Sequence, residues 1–247
     1  MPIRPFQYRR SNPSPCRLVI FCLLIFFVCG CKLNQTSGNI PGGFSSLVIG
    51  SSLEGWHKSL TTHHGVSGNF FTEDGTIVLK QSPFGQGGIL LTNEKYEDFE
   101  LHFEFKADPG TNGGLLFRST ESGSAYQLEL AGDGGKGTAA LFGEMLRVEK
   151  TVPAPDLSGI WKKGDWNLFR MRVSGEVPEI SLWINGKPIW QVQMEQNDLH
   201  AGSTTGFVGL QLHWSSTLVP IPGGSCCGYS WRPDAAHRYR NVYIKEL

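Results

Sequence analysis

Glutamine, glutamate and histidine recur at every second position in two well-separated stretches of this 247-residue chain. Gln127 and Glu129 alternate with Tyr126, Leu128 and Leu130, and Gln211 and His213 alternate with Leu210 and Leu212. A period of two marks strands with one apolar and one polar face. The longest such run, residues 99–107, sets Glu100, His102, Glu104 and Lys106 against Phe99, Leu101, Phe103, Phe105 and Ala107. Ser181 and Trp183 alternate in the same way with Ile180, Leu182 and Ile184. After residue 107 a loop built on Pro109, Gly110, Gly113 and Gly114 turns the chain, and a second short strand delivers Arg118. Gathered on one concave side, these carboxylates, amides, arginine and tryptophan suit a sugar ring. Its hydroxyls need planar bidentate partners, and its C–H face stacks on aromatic rings.

The elements that must position them are strands. From residue 47 onward about twelve strand signals follow one another with turn signals between them, and no amphipathic helix interrupts. Asp74-Gly75 and Asn185-Gly186 are hairpin pairs. The 31 glycines and 14 prolines favour turns over long helices. Without an internal repeat, this predicts a single domain: an all-β antiparallel sandwich of two sheets. Trp56 reads as a core anchor, His57 as exposed, and Asn167 as a residue satisfying a strand end. Residues 214–237, rich in Pro, Gly and Cys, with Trp214, Tyr229 and Trp231, read as a lid or wall beside His213.

The first 30 residues read as a lipoprotein signal peptide. Arg4, Arg9, Arg10 and Arg17 precede eleven apolar residues, 18–28, a run too short to span a bilayer, which takes about 20. The run ends at Val28-Cys29-Gly30-Cys31, which resembles a bacterial lipobox with Cys31 as the lipidated residue. Residues 31–46 are polar and Gly/Ser/Asn-rich, as a flexible tether is. The expected destination is across the inner membrane, lipid-anchored in the periplasm or at the cell surface. The net charge of zero includes those four leader arginines, no acid precedes residue 31, and no basic run remains beyond it, so nucleic acid is excluded as a partner. Only Cys226 and Cys227 of the six cysteines belong to the domain, and a bridge between such neighbours is strained. No CxxC or HxxxH spacing appears, so neither a metal nor a cofactor is expected.

Four passages resemble the 3-keto-disaccharide hydrolase family, also described as 3-keto-glycoside lyases and hydratases. They are residues 47–57 (LVIGSSLEGWH), residues 88–105 with 112–118, the words GDWN (164–167) and LWINGK (182–187), and the ending formed by residues 206–213 and 239–247. The resemblance covers nearly the whole chain after residue 47. It implies a concanavalin A-like jelly roll over residues 47–247 and action on sugars oxidised at C3. An upstream sugar 3-dehydrogenase would supply such an oligosaccharide or glycoside. The chain departs from the family pattern in the order of Gln127 and Glu129, in Leu212 where an Asp is common, and in the long loop after His213.

A C3 ketone acidifies the C2 proton and sets the glycosidic oxygen β to the resulting enolate. Elimination then needs a base, an acid for the leaving group and donors for the enolate oxygen. Glu129 and His213 are the candidate base and acid, in either order, and Arg118 the candidate enolate clamp. Glu104, Gln127, Gln211, Trp183 and His102 are candidate substrate-binding residues. A non-catalytic glycan-binding lipoprotein on the same sandwich is the alternative. A retaining glucanase is excluded, since no ExDxE or ExDxxE strand supplies its paired carboxylates.

Overall fold

The sequence pattern of alternating strands becomes two antiparallel sheets in the computed structural model, which describes residues 42–131, 137–215 and 231–247. In the larger sheet, β12 (Lys187–Gln193), β11 (Glu179–Ile184), β10 (Asn167–Ser174) and β6 (Phe99–Ala107) lie side by side. They are followed by β14 (Ala236–Glu246), β4 (Thr76–Lys80) and β3 (Asn69–Glu73). β1 (Ser45–Ser46) also pairs with β14, which makes eight strands. The smaller sheet runs β2 (Trp56–Lys58), β5 (Gly88–Tyr96), β13 (Gly206–Leu212), β7 (Asn112–Ser119), β8 (Ala125–Ala131), β9 (Leu141–Glu144). Among the described residues there is no α-helix, only a 3-10 turn at His200–Gly202. This is the all-β sandwich expected. The two strands beyond the expected dozen, β1 and β2, have two and three residues, too few to show an alternation. β1 falls within the stretch read as tether; Cys31 and the leader lie outside the described residues.

Strand parity supplies the core. The inward residues of β6 are buried without exception, and Phe103 stacks on Phe169 of β10 at 4.9 Å between ring centres. From the smaller sheet, Phe117 and Tyr126 stack at 5.7 Å and join the same core cluster. Each such aromatic pair is worth about 0.5–1.5 kcal/mol beyond its buried area. Both hairpin pairs take positive φ at both turn residues, 48° and 73° at Asp74-Gly75 and 51° and 76° at Asn185-Gly186. That is the type I′ geometry whose twist matches the flanking strands.

The outward face of the larger sheet is a ladder of charge pairs. Glu100 is gripped by Arg170, Glu104 by Arg240, and Asp108 by Arg238. The outward face of the smaller sheet is different. One half is a small apolar cluster, Ile89, Leu91, Leu116 and Ala125, with Phe207 against it. The segment after β2 and the β7–β8 turn close over that half. Ser59 Oγ donates to the Glu121 carbonyl at 2.6 Å, and a Cβ on Gly123 would lie 2.3 Å from Ile89. The other half is polar.

Candidate active site on the smaller sheet

The polar half is built on β13, β7 and β8, adjacent in that order. Gln211, Gly114 and Glu129 stand opposite one another across these three strands. Gly114 has no side chain, and the Gln127 amide lies in the space this leaves; a Cβ there would come within 2.6 Å of Gln127 Nε2. Gln127 Nε2 thereby donates to Glu129 Oε2 at 2.8 Å, while Gln211 Nε2 donates to Gln127 Oε1 at 3.2 Å. Gln127 and Gln211 are both buried. A glycine in the middle strand is thus what lets two amides meet across it.

The next group comes from a loop. The segment between β2 and β3 is pinned by Ser59, whose Oγ accepts from the Thr62 amide, and by Thr62, whose Oγ1 accepts from the His64 amide. Within this turn the His63 and His64 rings lie 3.9 Å apart, on the same side, where strand neighbours would point oppositely. Their Nε2 atoms stand 3.3 and 3.1 Å from one oxygen, Oε1 of Glu144 at the end of β9. His64 Nε2 also lies 2.9 Å from Gln211 Nε2, so the histidines, amides and Glu129 form one continuous chain of polar contacts. Nothing in linear spacing announced this trio: Glu144 is 80 residues from His64.

His213 follows β13 and its ring lies 5.0 Å from that of His64. Its Nδ1 is 2.6 Å from the Trp214 carbonyl oxygen, an acceptor, so Nδ1 carries the hydrogen and Nε2 the lone pair. Burial pushes its pKa down, which favours the same neutral form. Glu129 moves the other way. Burial pushes its carboxyl up to about 7, the Glu144 charge adds to this, and the hydrogen bond from Gln127 opposes it. The usual order is inverted here: near neutral pH the carboxyl can hold a proton and the imidazole a free electron pair.

Of the residues selected from sequence, Gln127, Glu129, Gln211 and His213 converge. Arg118 does not. Its φ of 48° lies at a register shift between β13 and β7, which turns the side chain off the polar face. The guanidinium is fully buried and donates to the Glu97 carbonyl, to Asp98 Oδ1 and to the Gly175 carbonyl at 2.9–3.1 Å. It braces the β5–β6 and β10–β11 turns instead of clamping an enolate. Glu104, His102 and Trp183 stand on the outward face of the other sheet. Glu104 binds Arg240 and Asn241, His102 contacts Glu100, and Trp183 lies 4.6 Å beneath the Arg170 guanidinium. Alternation identifies a polar face but not the sheet to which it belongs.

Trp56 is the expected core anchor, its Nε1 donating to the Leu47 carbonyl. Asn167 is fully buried and satisfies backbone groups of Lys162 and Asp165. His57 is only partly exposed, held between Asn93 and Glu121. Most of the expected lid, including Tyr229, Cys226 and Cys227, lies outside the described residues. Trp231 belongs to the core: it is 1% exposed, donates to the Ala235 carbonyl and packs on His237.

Comparison with known proteins agrees with this architecture. A candidate glycosyl hydrolase from Parabacteroides distasonis, solved at 1.70 Å, is 20% identical, with a TM-score of 0.55 over 83% of this chain and 94% of that one. A second from the same organism, solved at 2.00 Å, is also 20% identical, with a TM-score of 0.53 over 83% and 99%. The Crh5 transglycosylase is 14% identical, with a TM-score of 0.53 over 83% of each chain. At these identities the likeness is one of fold. No curated protein sequence matches the chain. The sequence model of one family matches residues 43–245, most of the chain, and on that extent the chain belongs to the 3-keto-alpha-glucoside-1,2-lyase-like domain family.

Proposed function

We propose that the protein cleaves glycosides oxidised at C3, by C2 deprotonation and β-elimination followed by hydration of the product. The observation that carries this reading is the half-buried Glu129 carboxyl, held by the Gln127 amide at 2.8 Å in the same polar cluster that leads through Gln211 and His64 to His213. His213 Nε2, with its lone pair fixed by the Trp214 carbonyl, takes the C2 proton. The C2–H electrons form the enolate with its charge on the C3 oxygen. As they return, the C1–C2 double bond forms, the C1–O bond breaks, and Glu129 protonates the departing alcohol. Water adding back across the double bond completes a net hydrolysis. Each proton transfer of this kind contributes about 10²–10⁴-fold. Gln127 holds Glu129 in place, and Gln127 and Gln211 offer amide edges to the ring hydroxyls.

The family to which the chain belongs supports carbohydrate as the substrate class. The leader supports a lipid-anchored protein outside the inner membrane, supplied with substrate by a sugar 3-dehydrogenase.

The test is turnover of a 3-keto-glucoside bearing a chromogenic leaving group. The expected result is release by the wild type, and loss of release in Glu129→Gln with no lowering of its melting temperature. Binding of the 3-keto-glucoside without turnover by the wild type would instead establish a glycan-binding protein.

A further inference from the structure

With Arg118 withdrawn from the cleft, the elimination lacks a positive partner for the enolate. Among the described residues, no arginine or lysine pairs with Glu129 or Glu144. What stands there instead is His63, His64 and Glu144, whose ligating atoms all lie within 4.8 Å of one another. We infer that these three side chains bind one divalent cation of the zinc type at the edge of the cleft. There it faces the oxygen that becomes the enolate.

Three features carry this. Two ligand atoms bound at about 2.0–2.1 Å to one tetrahedral zinc lie about 3.3–3.4 Å apart. The Glu144 oxygen already stands 3.3 Å from His63 Nε2 and 3.1 Å from His64 Nε2. Second, the hydrogen bonding is frustrated without a cation. His64 Nε2 faces a carboxylate oxygen at 3.1 Å and an amide nitrogen at 2.9 Å. A hydrogen there suits Glu144 but opposes Gln211; a lone pair does the reverse. A cation accepts the lone pairs of both His64 and Glu144 and leaves Gln211 free to turn. Third, the buried histidine is held in advance. The His64 backbone is tied by Thr62, and its carbonyl packs against Gly87, where a Cβ would lie 2.7 Å away. Two imidazoles and one carboxylate leave a coordination position open, as catalytic zinc sites do. A carbonyl or enolate oxygen bound there has its developing charge stabilised directly. The catalytic part of the inference rests on the proposed elimination; the binding part does not.

The test uses tag-free protein stripped with chelator and titrated with Zn2+ by calorimetry. One ion per chain is expected, with affinity weakened about 100-fold or more in His63→Ala and in Glu144→Gln. His57→Ala, which removes a histidine paired with Glu121, should bind as the wild type does. His63 is exposed, so its variant should keep the wild-type melting temperature. No one-to-one uptake by the wild type, or unchanged affinity in both ligand variants, overturns the site. Turnover is read separately. Loss on stripping and return on adding Zn2+ support the catalytic role, and turnover indifferent to stripping and to His63→Ala overturns it. Zinc uptake without any turnover of the 3-keto-glucoside by the wild type upholds the site and sinks the elimination instead.

Discussion

Glu129 and Arg118 are both charged residues on strands of one sheet, yet removing each should have opposite consequences. Glu129 carries a pKa raised from 4.5 to about 7, so the folded state holds its proton more tightly than the unfolded chain does. That contribution to stability is complete below about pH 4.5 and is lost as pH rises through about 7, a difference of up to about 3 kcal/mol. Glu129→Gln should therefore melt higher than the wild type at pH 8 and together with it at pH 4, which thermal unfolding at the two pH values would read. Because Glu129 gives a proton in the proposed reaction, kcat should fall as pH rises through about 7; a rate that rises there would make Glu129 the base. Arg118→Met, in contrast, removes the cation paired with Asp98, which keeps only the Gly175 amide, and the donor to the Glu97 and Gly175 carbonyls. Breaking such a buried pair costs about 3 kcal/mol at the lower end of the usual range, since Asp98 is partly exposed. Calorimetry should then show a melting temperature lower by about 6–12 °C in a domain of this size. If the remaining folded protein also lost substrate affinity outright, Arg118 would belong to the cleft after all.

At the scale of elements, what was legible in the sequence is what alternation encodes. It marks the core face of each long strand and sets Gln127 and Glu129 on one face, while the Asp-Gly and Asn-Gly pairs mark both hairpins. It could not give the partner strand. β6 and β8 have the same pattern of polar and apolar residues, but β6 lies in the larger sheet and β8 in the smaller, so alternation alone does not separate Glu104 and His102 from Gln127 and Glu129, which they never meet. Nor could it show the register shift that turns Arg118 inward, or the loop that brings His63 and His64 to Glu144. Gly114 was visible only as part of a turn-forming run, whereas its use is to leave room over β7 for Gln127. Gly114→Ala should consequently displace the Gln127 amide and detach it from Glu129. Turnover should fall by about tenfold or more, while melting temperature changes little because a flexible side chain yields. Steady-state kinetics beside a melting curve would separate this from a general loss of packing. Wild-type kcat in that variant would show that the amide pair is dispensable.

In the whole molecule the two outward faces differ: one is closed by arginine–carboxylate pairs, the other gathers its titratable groups in one chain of polar contacts without an arginine or lysine partner among the described residues. Both rest on a core shared between the sheets, so a substitution on either outer face leaves the other intact. β1 adds a connection between the ends of the domain. Ser45 pairs with Ile244, three residues before the C-terminus, and the Leu47 amide donates to the Val242 carbonyl. Directly paired residues on antiparallel strands lie about 4.5–5.5 Å apart, so the chain leaves the fold beside the place where it entered. The order in which the strands are strung is therefore separable from the order in which they pack. A circular permutant that joins Leu247 to Ser45 through a short Gly/Ser linker and opens at the exposed Asp74 turn should fold, since neither change crosses the core. Its turnover should match that of the unpermuted domain. Its new N-terminus would lie at the β3–β4 edge of the larger sheet, so a lipid attached there would present the cleft to the membrane in a different orientation.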